Sequence, residues 1–156
     1  MAVQMLRHTV ATLAYRGGKA LRGAPADFAQ FRGAATTRTP GETLAHIGDL
    51  LDWALCLADG KYEYHNSAPL PWEQEVARFF AALKALDGRL ASGGDLGFPA
   101  EKIFQGPIAD ALTHVGQIAM LRRMSGSPVR GESYFRAQIA AGRVGPDQEA
   151  PGYEFD

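Results

Sequence analysis

The chain has 156 residues, 46% of them hydrophobic, and near-balanced charge: 16 Lys and Arg against 17 Asp and Glu, a formal −1 at pH 7. That length suits one domain with a sizeable core, and the balance excludes a general electrostatic pull toward nucleic acid or an anionic membrane surface. The single cysteine, Cys56, excludes an internal disulfide and suits a reducing cytoplasm, and no apolar run approaches the ~20 residues that span a bilayer.

In chain order, Arg7, Arg16, Lys19 and Arg22 precede the first acid, Asp27, a bias that transit peptides share. Val3, Leu6, Val10, Leu13, Gly17 and Leu21, however, recur at helical spacing and predict a core-facing helix over 2–22. Gly23-Ala24-Pro25 ends it, and a short helical piece near 27–31 follows. The second helix has the clearest start in the chain. Thr39-Pro40-Gly41-Glu42 combines a Thr cap, Pro at the first helical position and Glu at the third, and Gly60 marks the far end.

Residues 60–71 are rich in turn formers and aromatics and predict a long connection, in which Tyr62, Tyr64, His65 and Trp72 are placed to roof a pocket. A third helix starts near Pro71-Trp72-Glu73 with Val76, Phe79, Phe80, Leu83, Leu86 and Leu90 as its core face. After a helical turn near 99–104, Gly106-Pro107 opens a fourth helix that runs to Met124. The remainder holds one short helical candidate, 133–141, and a Gly/Pro-rich tail. With little β signal, the expectation is one all-α domain over 1–156: an up-and-down four-helix bundle over about 2–126 with an extension over 127–156.

The stretch with most chemical content is Asp110-Ala-Leu-Thr-His114-Val-Gly-Gln117-Ile on the fourth helix. Residues four apart lie one above the other on a helix face. Asp110 and His114 therefore share a face with Ile118 and Leu121, pointing toward the core. Polar groups placed there are costly unless paired or bound to an ion. On the second helix His46 borders the apolar stripe of Leu50, Trp53, Ala54 and Leu57, while Asp49 and Asp52 turn progressively toward solvent. His46, Asp110 and His114 are thus the candidate ligands of a site between the second and fourth helices. Imidazole nitrogen with carboxylate oxygen suits zinc, iron, nickel or manganese, and three protein ligands leave a position open for water or substrate. The alternative is an Asp110–His114 ion pair that only orders the bundle.

Around these ligands, Glu42 repeats the carboxylate-x-x-x-His spacing with His46 but is first a helix cap. Gln117 is placed to hydrogen-bond a ligand or to bridge helices. Arg122 either complements the helix C-terminus or reaches an anionic substrate. Glu42 and Asp49 are the only general-base candidates, and both have surface explanations. His8 and His65 are expected to be surface or packing residues, and Cys56 a small core residue.

Thr39-Pro-Gly-Glu42-Thr-Leu-Ala-His46-Ile-Gly-Asp49, followed by Thr113-His114-Val-Gly-Gln117-Ile and the Arg122-Arg123 pair, resembles the DinB-like (YfiT-like) four-helix-bundle family. The resemblance spans the four helices. It implies one divalent ion, zinc or nickel foremost, held by a His on the second helix and a His-x-x-x-His pair on the fourth. His46 matches the first ligand and His114 the last, while Asp110 stands where the family has a His. The activities it implies are transfer of low-molecular-weight thiols such as bacillithiol or mycothiol and a mycothiol-dependent isomerisation. Hydrolysis at the ion is an equal chemical option. The expectation is a metal-dependent enzyme on a small-molecule substrate, cytoplasmic and homodimeric, without nucleic-acid or membrane partners. A non-catalytic metal- or ligand-binding bundle, or a metal-free structural dimer of the stress-response kind, is the alternative.

Overall fold

The computed structural model describes all 156 residues. Four helical rods form an all-α bundle: α1, Ala2–Leu21; α2, Pro40–Ala58; α3, Trp72–Ala91; and a last rod built of α4, Ala100–Ile103, a π turn over Phe104–Ile108, and α5, Ala109–Met124. Their inner faces meet in one apolar core that includes Leu13, Phe28, Ile47, Leu51, Phe79, Leu83, Ile108 and Ile118, all nearly inaccessible. The expected start of α2 is realised in full: the Thr39 side chain accepts from the Glu42 N–H while the Glu42 carboxylate accepts from the Thr39 N–H. Gly60, at φ 79°, follows the C-cap Asp59 in the left-handed conformation that ends the helix.

The rods do not simply alternate in direction. Arg7 reaches Asp87 while Gly17 lies against Phe79, so α1 and α3 are antiparallel. Arg78 bonds Asp49 and Arg89 bonds Asp59, so α2 and α3 run parallel side by side. Parallel neighbours need a connection that travels back along a rod, and α3 alone is 20 residues, about 30 Å long. Residues 59–71 make that return trip over the flank of α2 and α3, which is why the aromatic connection is long. It passes Trp53 with Tyr62 and Tyr64, reaches His46 with Tyr64, and lands on Glu75 through the Leu70 N–H.

Two further local readings change. Pro107 does not open the last helix. The rod continues through it by widening to a π turn, which accommodates a residue lacking an N–H. In the extension, the helical candidate over 133–141 is only a 3₁₀ turn at Tyr134–Arg136, flanked by a small antiparallel pair of strands, β1 (Gly131–Glu132) with β2 (Glu154–Phe155). Buried Glu132 anchors this pair to α1: it accepts from Tyr15 at 2.5 Å and from Lys19 at 2.8 Å. No helix is long and apolar enough to cross a membrane.

Candidate metal centre

The antiparallel packing of α2 on α5 sets His46 opposite one turn of α5, and the i,i+4 spacing there brings Asp110 and His114 to the same point. One ligand atom from each lies within 4.8 Å of the others. Asp110 Oδ1 is 3.4 Å from His114 Nε2 and Oδ2 is 3.7 Å from His46 Nε2. The two imidazoles meet edge to face with centroids 4.8 Å apart. Both rings are mostly covered, whereas the Asp110 side chain is 48% exposed. Asp110 therefore does not point into the core as its helix position predicts; it closes the outer side of the group.

The outer nitrogens of both rings are engaged. Gln117 Oε1 stands 2.7 Å from His114 Nδ1. An amide oxygen only accepts, so Nδ1 carries a proton here, and in the neutral ring the Nε2 lone pair faces Asp110. Tyr64 donates its one hydroxyl proton to Asn66 Oδ1 at 3.1 Å, so it accepts from His46 Nδ1, also at 3.1 Å. His46 Nε2 is then likewise a bare lone pair. Gln117 thus takes the orienting place expected of it, and Tyr64 takes one too, since the connection over α2 carries it there. Burial first, then the positive charge of Arg38 and the neighbouring His114, hold the His46 imidazole below its ordinary pKa against the opposing Asp110 and Asp49. The neutral ligand form is favoured.

The carboxylate–imidazole spacing, one contact from each oxygen of Asp110, is close to that around a small ion. Bonds of about 2.1 Å in a tetrahedral arrangement place ligand atoms ~3.4 Å apart. The carboxylate–imidazole separations of 3.4 and 3.7 Å match.

The other sequence candidates go elsewhere. Glu42 is held by the cap and lies 3.6 Å from Arg32. Its hydrogen bond from the Thr39 backbone, with Arg32 adding to it, lowers its pKa against a smaller desolvation effect. Asp49 is not on the solvent side: it is buried, accepting from Arg78 at 2.5 Å and from the Ser67 N–H at 2.8 Å. Burial raises its pKa, but the hydrogen bonds from Arg78 and Ser67 outweigh that and hold it below the usual range. His65, expected to be ordinary, faces the same carboxylate at 3.1 Å and Asp52 at 3.4 Å.

Arg122 is buried and donates to the carbonyls of Ala20, Arg22, Gly23 and Ser127, tying the C-terminal ends of α1 and α5 together. It has no free face for a substrate. Cys56 is half-buried, and Trp72 packs on Phe28 away from the site. Sequence reasoning missed Arg38, Asn66 and Arg78. Only Arg38 carried a signal, standing immediately before the Thr39 cap.

Hollows flank the group on both sides. One of about 360 Å³ borders His46 and has polar walls that include Arg32, Glu42, Asn66 and Ser67. The other, of about 580 Å³, borders His114 and Gln117 and is floored by Met120, Leu121 and Met124. Comparison with known proteins matched no family model, no curated sequence and no solved structure.

Proposed function

We propose that this protein is a metal-dependent enzyme of small-molecule metabolism that holds one divalent ion, zinc or nickel foremost, through His46 Nε2, His114 Nε2 and Asp110. One observation carries the reading: His46, Asp110 and His114 converge with no Arg or Lys among them, and the outer nitrogens of both imidazoles are engaged by Tyr64 and Gln117, so that each neutral ring turns a lone pair inward. Lone pairs facing lone pairs repel unless a cation lies between them. A plain Asp110–His114 ion pair would instead need His114 doubly protonated, with Nδ1–H on Gln117 and Nε2–H on Asp110, and metal uptake separates the two readings.

The residues divide the work. Gln117 and Tyr64 lock the rings so that the ligand nitrogens are preorganised. Asp110, at the solvent edge, lowers the net charge of a bound dication and leaves the approach from the hollows open. When bound, such an ion supplies Lewis acidity that lowers the pKa of a thiol or of water at its free position. Transfer of a low-molecular-weight thiol and hydrolysis are both compatible with that chemistry. The motif resemblance to DinB-like bundles favours the thiol, with Asp110 in place of the family's His as an oxygen ligand.

The test is metal uptake. Chelator-stripped protein titrated with zinc and with nickel, followed by elemental analysis after desalting, should retain about one ion per chain. At a hundredfold excess over its dissociation constant the ion should stabilise the fold by about 2.7 kcal/mol. His46→Ala should lose the ion, and Asp110→Asn should hold it more weakly. A wild type that stays metal-free and whose melting temperature ignores both ions would sink the proposal.

A further inference from the structure

The two hollows beside the His46–Asp110–His114 group share Thr37 and Arg38 as their common wall. Among the charged residues that line them, all but Arg38 are engaged. Arg32 donates to the Thr37 carbonyl and faces Glu42. Glu42 is bound in the cap, and Asp49 is bound to Arg78. His46 and His114 have their outer nitrogens taken by Tyr64 and Gln117. Arg38 makes no hydrogen bond and no ion pair at all. Its backbone is nevertheless fixed, because Thr39, the next residue, is the buried cap of α2. Its charge is felt at the centre, where it is one of the causes that hold the His46 imidazole neutral.

On the far side of Arg38 the larger hollow is the apolar one. Met120 and Met124 stand on the open face of α5, 60% and 54% exposed, with Leu121 beneath them. Gly116, one turn before Met120, has open space where a side chain would project, so the hollow runs uninterrupted to His114. Methionine lining adapts to ligands of varied shape, and about 580 Å³ is the size of a small-molecule site. An unpaired guanidinium presents a planar fork of donors that matches a carboxylate in geometry and charge. It repels a cationic ligand.

We infer that Arg38 anchors the carboxylate of a small-molecule substrate whose apolar body lies against Met120, Leu121 and Met124, so that the substrate spans the face of the His46–Asp110–His114 group. This rests on the functional reading above for its catalytic meaning, but the binding site is defined by this chain's own residues without an ion.

Isothermal titration calorimetry with octanoate tests it, run on chelator-stripped and on zinc-treated protein, with octylamine and acetate as comparison ligands. Octanoate should bind both forms at millimolar concentration, and octylamine and acetate should bind at least about tenfold more weakly. Arg38→Gln should weaken octanoate by at least about tenfold in both forms. Met120→Glu, at an exposed position, should also weaken it. Equal binding of octylamine and octanoate would overturn the proposal by reducing the hollow to a plain apolar surface. Absence of octanoate binding to either form would overturn it as well, as would binding only to zinc-treated protein that survives Arg38→Gln, which would put the carboxylate on the ion. Should the wild type take up no zinc, the metal reading fails alone, and Arg38-dependent octanoate binding to the stripped protein still supports the anchor.

Discussion

Two groups of one or two histidines with aspartate sit on α2 less than two turns apart, and they are neutralised in opposite ways. Asp49, Asp52 and His65 also place their ligand atoms within 4.8 Å of one another. Arg78, however, lies in the middle of them, bonding Asp49 at 2.5 Å and Asp52 at 2.9 Å. A Cβ at residue 48 would lie 2.8 Å from that guanidinium, so Gly48 is what lets Arg78 lie flat on α2. Room for an ion is already filled by an internal cation, and the Ser67 N–H caps the remaining oxygen. At His46, Asp110 and His114 no Arg or Lys enters the group. Proximity of His and Asp is therefore a poor guide to metal binding. Whether the lone pairs already have a donor is the useful question.

The largest expected effect breaks the first group. Arg78→Ala leaves Asp49 buried without its cation, and loss of a partner from a buried ion pair costs about 3 kcal/mol. Urea unfolding should show that loss, while zinc binding at the other group falls only as far as the Tyr64 connection loosens. Gln117→Leu probes the His46–Asp110–His114 group. Gln117 is exposed, so metal-free stability should barely change, but zinc affinity should fall about tenfold or more once the His114 ring is free to turn. A fall in metal-free stability without a fall in affinity would make Gln117 a helix-bridging residue only.

The smallest effect is in pH dependence. The folded-state pKa of His46 is depressed below its ordinary 6.5, so as pH falls the unfolded chain takes up that proton first. The stability contributed by neutral His46 is present above 6.5 and is lost as pH falls below it toward the folded value. Asp49 is depressed below 3.8, so its contribution persists until pH drops under that value. Melting temperatures of metal-free protein should therefore decline in two separate windows. His46→Gln should diminish the upper one and leave the acid one in place.

Much of the secondary structure was legible because its signals are local. The Thr39–Glu42 cap, the core stripe of α3 and the Gly60 stop each involve residues within one or two turns, and each stands as read. Pro107 misled because a missing N–H is normally found at a helix start, whereas here the rod widens around it. Asp49 misled for a related reason: helical projection measures the distance from an apolar stripe, and it has no means of registering Arg78 arriving from α3. Arg122 could be read as a capping residue, but not as the clamp between α1 and α5, since its acceptors lie about a hundred residues upstream in the chain.

The chain alone was enough for the all-α class, for the ends of the first three rods to within a turn, and for placing Asp110 and His114 on one helix face, because periodicity and capping are properties of neighbouring residues. Tertiary structure decided that α2 and α3 run parallel, and hence that the 59–71 connection passes over His46 and delivers Tyr64 to it. It also decided which His–Asp group is left without an internal cation, and that Arg38 stands unpaired between two hollows. Those outcomes depend on which side chains meet across the bundle, and packing between distant segments has no periodic signature in the chain.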